Sequence, residues 1–132
     1  MSKCYLSGPM RGLPEYNYPA FISAANYLRS LGWHVFNPAE MDIAEADDDN
    51  LQAHTLEEQK LRDTASNARR FARRDVDILL DVLKSEDGDC VFILPGCDSS
   101  VGATAEIAMA KWLFLPVIPY EDARRPGELT SK

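Results

Sequence analysis

The fold class can be predicted from the segment DCVFILPGCDSSVGATAEIAMAKWLFLPVIP, residues 89–119. It opens with an apolar run at 89–94, passes through a Pro/Gly/Ser loop into a helical pattern over 101–113, and closes with a second apolar run at 115–119. Short apolar runs are typical of strands covered on both faces, and a helical connection joins strands that lie parallel. The segment therefore predicts a β–α–β unit.

The amino-terminal part of the chain shows the same alternation. Its predicted elements are a strand KCYLS (3–7), a helix over 18–31 and a strand WHVFN (33–37). Thr55 and Glu58 form a capping-box pattern that predicts a helical stretch from there to about Lys84, with a break near 66–67. We expect one α/β domain over 1–132, a three-layer sandwich around a flavodoxin-like (Rossmann-like) parallel sheet of four to five strands.

Charged residues are concentrated in the middle of the chain. Residues 40–58 are acidic and contain no Lys or Arg, which predicts a solvated loop within an acidic insert at about 41–66. The Arg-rich stretch 60–74 that follows is expected to be a solvated basic face. The acidic run lacks the ligand spacing and the glycine of a calcium loop, so no metal site is predicted. Residues 121–132 read as a polar tail.

Composition excludes several classes of function. The chain has 132 residues and a formal net charge of −7, which argues against binding a nucleic acid polymer through a basic surface. Its three cysteines form neither a disulfide framework nor a zinc pattern. It has no apolar run long enough for a membrane helix, and its first residues do not resemble a signal peptide. We therefore expect a cytoplasmic protein that does not associate with membranes.

Two acidic residues fall on apolar helix faces. Glu106 is the only acid in the helix over 101–113, and Asp75 falls on the inward face of the preceding helix. A buried carboxylate is costly unless it is paired or used, although a structural acid bonded to a loop amide is the alternative. Paired carboxyl groups cleave glycosidic bonds, one as nucleophile and the other as proton donor.

Two loops should meet at the carboxyl edge of the sheet, where ligands bind in such folds. Ser100 precedes the helix over 101–113, and its hydroxyl could contact an anion or simply cap the helix. Arg11, in the loop SGPMRG after the first strand, could contact the same anion. Neither loop matches a Walker or dinucleotide fingerprint.

Four segments follow one another along the chain: YLSGPMRG, NPAE, RRDVDILL and LPGCDSSVGATAEIAMAKWLFLPV. In this order they resemble the nucleoside 2-deoxyribosyltransferase superfamily. The chain is most similar to small bacterial and phage domains of that superfamily. The resemblance implies a flavodoxin-like sheet, Glu106 as nucleophile, Tyr5 holding Glu106, and Asp75 assisting the leaving base. It also implies a substrate-binding set of Gly8, Met10, Arg11, Gly12, Asn37, Ser100 and Gly102.

The resemblance favours an N-glycosidase that hydrolyses 2′-deoxyribonucleoside 5′-monophosphates, because members with a serine at the position of Ser100 contact a phosphate. It implies no metal or organic cofactor, a small nucleotide or nucleoside as substrate, and a homo-oligomer. Two alternatives stay open. One is a deoxyribosyltransferase that exchanges bases, and the other is a protein that binds a nucleotide without cleaving it.

Overall fold

The sheet confirms the predicted fold class. The computed structural model describes residues 2–49 and 55–128, and these contain four parallel strands in the order β2-β1-β3-β4. The strands are β1 (Lys3–Ser7), β2 (His34–Phe36), β3 (Cys90–Ile93) and β4 (Val117–Pro119). In the register Tyr5 pairs with Phe36 on one side and with Val91 on the other. The strand order therefore reverses between β1 and β3, the position at which open α/β sheets bind ligands.

Helices cover both faces of the sheet. The α-helices of the described ranges are α1 (Tyr18–Ser30), α2 (Pro38–Asp49), α3 (Leu56–Arg62), α4 (Ala65–Asp77) and α5 (Val101–Trp112), and α4 continues into a π-helical turn, Ile78–Val82. None of these helices combines the length and apolar character needed to cross a bilayer.

The alternation of β1 divides the core into two layers. Cys4 and Leu6 point to one face, where they pack in a cluster with Phe21 and Leu28 of α1. Tyr5 points to the opposite face and packs with the π-helical turn and with α5. Successive strand residues face opposite sides of a sheet, so Ser7 shares the face of Tyr5. This alternation directs two hydroxyl groups of β1 towards α5.

The predicted solvated loop at 40–58 is wrong for its first part, because α2 begins at Pro38 and extends to Asp49. Asn37 accepts a hydrogen bond from the backbone N–H of Ala39 at 3.0 Å, and Ala39 is fully buried in the core. Asp42 is also buried. The acidic composition predicted a loop, but this segment is a helix whose first turn packs in the core through Ala39. Residues 50–54 of the predicted insert lie outside the described residues.

Two further boundaries are set by side-chain caps. Thr55 and Glu58 form the predicted capping box at the start of α3. The helical break falls at Asp63–Thr64 rather than near 66–67, because the Thr64 hydroxyl accepts a hydrogen bond from the N–H of Asn67 at 3.2 Å and so starts α4.

The predicted polar tail is packed where it is described. The indole N–H of Trp33 donates to the carbonyl oxygen of Arg124 at 2.7 Å, and Pro126 lies against Gly32. Residues 129–132 of the predicted tail lie outside the described residues.

Candidate active site

Glu106 lies at the carboxyl ends of the central strands, on the inward side of α5. The hydroxyl of Tyr5 donates to Glu106 Oε2 at 2.7 Å, and the hydroxyl of Ser7 donates to Glu106 Oε1 at 2.6 Å. Burial raises the pKa of Glu106 to about 7, although the two hydroxyl groups counteract part of this rise. Both carboxylate oxygens are therefore fixed by strand β1, and the group titrates near neutral pH.

Tyr5 and Ser7 reach the same carboxylate because they are two residues apart on one strand. Tyr5 is fully buried, and burial together with the charge of Glu106 raises its pKa well above the usual value. Its phenol therefore stays protonated and acts as a donor. Tyr5 was predicted as the residue that holds Glu106, whereas the sequence analysis missed Ser7. The signal available was a polar residue that ends an apolar strand on the face of Tyr5.

Asp75 lies on the inward face of α4, as predicted, and is buried. Burial raises the pKa of Asp75. Hydrogen bonds from Arg74 and from the Tyr5 hydroxyl lower this pKa in part, and the Nε of Arg74 donates to Asp75 Oδ1 at 2.8 Å. The negative charge of Asp75 in turn contributes to the raised pKa of Glu106. The structure thus brings together Tyr5, Asp75 and Glu106, the three residues predicted to be catalytic.

Arg74 connects Asp75 to α2. Its Nη1 lies 2.8 Å from both Asp42 Oδ1 and Glu45 Oε2. Burial lowers the pKa of Arg74, but the three carboxylates outweigh burial and raise it overall. The predicted solvated basic face is therefore wrong at this position, because Arg74 is the cation that compensates three acids between α2 and α4.

Arg62 is a second exception to the predicted basic face. It is buried at the end of α3, and its guanidinium lies 5.5 Å from the ring centroids of both Tyr16 and Phe71. Within the part of the chain that the structure describes, its Nε and Nη2 have no hydrogen-bond partner, and neither has Oε1 of Gln59. Aromatic faces can stabilise a desolvated guanidinium, which accounts for a cation at this depth.

The amino terminus of α5 contains Ser100 and Gly102. The Ser100 hydroxyl accepts a hydrogen bond from the N–H of Ala103 at 3.1 Å, so Ser100 is the helix N-cap. The hydroxyl proton is not used in that bond. A Cβ built on Gly102 would meet nothing within 4 Å, so packing does not require glycine there. The space beside Gly102 leaves the first turn of the helix open to a ligand.

The loop after β1 holds four of the predicted substrate-binding residues. A Cβ on Gly8 would lie 2.8 Å from Leu94 Cβ, so close packing of β1 against β3 requires this glycine. Gly12 has a φ of +87°, which a glycine adopts without strain. Met10 packs against the core cluster of α1. Arg11 is exposed, and its Nε lies 3.9 Å from Asp63 Oδ1.

Asn37 has a structural role in this arrangement. It is 2% exposed, and its Nδ2 donates to the carbonyl oxygen of Phe21 at 3.4 Å while its Oδ1 accepts from Ala39. Both polar ends of the side chain are thus used to hold the start of α2 against α1. The predicted contact of Asn37 with a substrate has no support in this geometry.

The site offers acid–base and nucleophilic chemistry. The buried carboxyl group of Asp75 and the partly buried one of Glu106, on separate helices and both with raised pKa values, approach the same tyrosine hydroxyl. In such a pair, an ionised carboxylate can act as the nucleophile while a protonated carboxyl group acts as the proton donor. Among the described residues no group of three or more His, Cys, Asp or Glu side chains has the geometry to hold a metal ion.

Fold and site together define an α/β protein with a flavodoxin-like sheet and paired carboxyl groups where the strand order reverses. Residues 2–65 match the model of a family described as a domain of unknown function, DUF4406. The matched region runs from β1 through α3, so it includes Tyr5 and Ser7 and ends before Asp75 and Glu106. No curated protein and no solved structure matches the chain.

Proposed function

We propose that the protein is an N-glycosidase that hydrolyses the base–sugar bond of 2′-deoxyribonucleoside 5′-monophosphates. The observation that carries the proposal is the Glu106 carboxylate, which is held on both oxygens by Tyr5 and Ser7 with Asp75 close by. A carboxylate held in this way can attack a carbon atom along a fixed direction. The resemblance to the nucleoside 2-deoxyribosyltransferase superfamily assigns the same roles to Glu106, Asp75 and Tyr5.

In the first step, a carboxylate oxygen of Glu106 forms a bond to the anomeric carbon of the sugar. The bond from that carbon to the base nitrogen breaks, and its electron pair leaves with the base. Asp75 donates a proton to the base as it departs. The product of this step is a glycosyl ester of Glu106 and a free base.

In the second step, water attacks the anomeric carbon and Asp75, now ionised, accepts a proton from it. The ester bond breaks, so Glu106 is restored and deoxyribose 5-phosphate is released. Burial raises the pKa of Asp75 and its hydrogen bond to Arg74 lowers it, so Asp75 has groups around it that stabilise the acid form of the first step and the base form of the second. Tyr5 and Ser7 keep Glu106 in place through both steps, and no cofactor takes part.

The 5′-phosphate is assigned to the amino terminus of α5. Three features support this assignment: the unused hydroxyl proton of Ser100, the open space beside Gly102, and the partial positive charge of a helix amino terminus. Arg11 is exposed, and its pairing with Asp63 is long, so it can turn towards a bound phosphate at little cost. A small nucleotide in the cytoplasm is the substrate of this proposal, rather than a nucleic acid polymer.

The decisive experiment is a product assay. The purified chain is incubated with a panel of 2′-deoxynucleoside 5′-monophosphates and the matching nucleosides, and free base is measured by chromatography. We expect base release from a monophosphate, a loss of several orders of magnitude in Glu106→Gln, and a large loss in Asp75→Asn. Asp77→Asn is the matched control, because Asp77 is an exposed acid on the same helix.

Other outcomes assign other functions. Formation of a new nucleoside when a second base is added, with little hydrolysis, would identify a deoxyribosyltransferase. A nucleotide that binds and is recovered intact from the wild-type chain would identify a binding protein. Base release that is unchanged in Glu106→Gln would refute the mechanism.

A further inference from the structure

Arg74 bonds to its own neighbour in the sequence, a contact that a helix does not by itself favour. Its Nε donates to Asp75 Oδ1 at 2.8 Å, although the side chains of adjacent residues on a helix point about 100° apart. The guanidinium is therefore held beside Asp75 by a partner outside α4. That partner is α2, whose Asp42 and Glu45 both contact Nη1 of the same guanidinium.

The two acids of α2 contact Arg74 in different ways. Arg74 Nη1 donates a hydrogen bond to Glu45 Oε2 at 2.8 Å, and the other oxygen of Glu45 lies 3.8 Å from Arg70 Nε. Asp42 Oδ1 also lies 2.8 Å from Arg74 Nη1, but this contact is an ion pair without hydrogen-bond geometry. Residues three apart on a helix share a face, so α2 presents both carboxylates together. Glu45 thus directs the guanidinium, while Asp42 adds a second negative charge beside it.

The helix α2 is anchored to the core where it makes these contacts. Ala39, in its first turn, is fully buried in the cluster that contains Phe21 and Leu28 of α1. Asp42 is 6% exposed, and the hydroxyl of Tyr18, the first residue of α1, donates to its Oδ2 at 3.3 Å. The position of the α2 carboxylates relative to α4 is therefore set by the packing of α1 against α2.

The α2 carboxylates also act on Asp75 through their charge. Burial raises the pKa of Asp75, the hydrogen bond and charge of Arg74 lower it, and the charge of Glu45 raises it again. Two carboxylates bound to one guanidinium lie within roughly 6 Å of each other, the range over which one charge shifts the ionisation of another. The charged and titratable groups that face Asp75 come from β1, α2, α4 and α5, and they are Tyr5, Asp42, Glu45, Arg74 and Glu106.

We propose that Glu45 and Asp42 are positioning residues for the proton donor of the proposed reaction. They hold the guanidinium of Arg74 beside Asp75 and take up part of its positive charge. An arginine without such partners would favour the ionised form of the carboxyl group beside it, which would then have no proton for a leaving base. With them, Arg74 orients Asp75 and the carboxyl group can still hold a proton. This role rests on the proposed function, which makes Asp75 the proton donor.

The first test measures the titration of the Asp75 carboxyl group by carbon NMR, with the signal assigned from Asp75→Asn. Glu45→Gln keeps a hydrogen-bond acceptor for Arg74 but removes the charge, so the midpoint of the Asp75 titration should move to lower pH. Asp42→Asn should move it in the same direction. Glu40→Gln is the matched control and should not move it, because Glu40 is an acid of the same helix that pairs with Arg29. A midpoint that Glu45→Gln leaves in place, or that Glu40→Gln moves equally, would overturn the proposal.

The second test follows the Nε–H proton of Arg74 by nitrogen NMR. This proton is bonded to Asp75, so it should exchange slowly with water in the wild-type chain and in Glu45→Gln. Glu45→Leu removes the acceptor that directs the guanidinium, and the exchange should become at least about tenfold faster. Equal exchange rates in the wild type and in Glu45→Leu would show that α2 does not hold Arg74 beside Asp75, and would overturn the proposal.

Activity measurements separate a positioning role from a purely structural one. The alkaline limb of the kcat profile reports the loss of the proton from Asp75, so Glu45→Gln should move this limb to lower pH. At pH 8 kcat should fall roughly threefold to tenfold with little change in KM. An equal loss of kcat at every pH would indicate structural damage and would overturn the proposal. A chain that releases no base from any nucleotide would instead refute the proposed function, and the two NMR measurements would still decide whether α2 acts on Asp75.

Discussion

Replacement of Glu106 by Gln should stabilise the folded protein at pH 8 while it removes the proposed nucleophile. The substitution replaces a carboxylate that burial disfavours with a neutral group of the same shape, which can still accept a hydrogen bond from Tyr5. A functional site is often the place where a protein gives up stability. The prediction concerns the geometry of the site and holds whatever the substrate is.

The magnitude follows from the pKa of Glu106. A rise from the ordinary value of 4.5 to about 7 means that the folded state holds this proton more tightly than the unfolded state does. The associated stability is complete below pH 4.5 and is lost as the pH rises through about 7. At about 1.4 kcal/mol per pH unit the loss is roughly 3 kcal/mol at pH 8. The Gln variant does not titrate and should keep this stability.

Thermal unfolding of both proteins should be followed by circular dichroism from pH 4.5 to pH 8.5. For a domain of this size 1 kcal/mol corresponds to roughly 3 °C, so Tm of the variant should exceed that of the wild type by roughly 6–10 °C at pH 8. The difference should almost vanish at the acidic end. Glu86→Gln is the control, because Glu86 is exposed and its replacement should change Tm little at any pH. An equal or lower Tm for Glu106→Gln at pH 8, or a difference independent of pH, would show that ionised Glu106 does not destabilise the folded protein.

Further predictions concern the groups around Glu106. Ser7→Ala removes a hydrogen bond that lowers the pKa of Glu106, so the rising limb of the pH–activity profile, or the carboxyl titration followed by NMR, should move to higher pH. Arg74→Gln removes the guanidinium that lies 2.8 Å from each of three buried or half-buried carboxylates and should cost about 3–5 kcal/mol in urea unfolding at pH 7.5; a cost that did not shrink at pH 5 would contradict this account. Gly8→Ala forces a Cβ to within 2.8 Å of Leu94 and should destabilise the fold by about 1–3 kcal/mol. Gly102→Ala meets open space and should raise Tm slightly, by up to about 1 kcal/mol in stability, so an equal loss in both glycine variants would argue against the described packing.

Local patterns were sufficient for most of the sheet and its helices. The apolar runs at 89–94 and 115–119 and the periodic segments at 18–31 and 101–113 each fold as predicted, to within two residues. Such elements are predictable because the packing they need is encoded in the spacing of their own residues. The helix α2 was missed because acidic residues occur along its whole length, and such residues resemble a loop when their partners are unknown.

The paired acids illustrate how far the candidate site could be predicted. Glu106 and Asp75 were recognisable because each is an isolated carboxylate on an apolar helix face, which is rare without a role. Ser7 gave a weaker signal, since one hydroxyl at the end of a strand does not reveal what it faces. Arg74 gave no usable signal, because Arg69, Arg70 and Arg73 lie close to it in the sequence and only its position against α2 distinguishes it.

Patterns along the chain were enough to predict the parallel α/β architecture, the edge of the sheet where the candidate site lies, and the acids on α4 and α5. The folded structure was needed to show which hydroxyl groups hold Glu106, which arginine compensates Asp75, and that Asn37 is used internally. The physical reason is the range of the interactions. Periodicity and caps act between residues a few positions apart, whereas the contacts of Glu106 with Tyr5 and Ser7 span about a hundred residues and exist only once the sheet has formed.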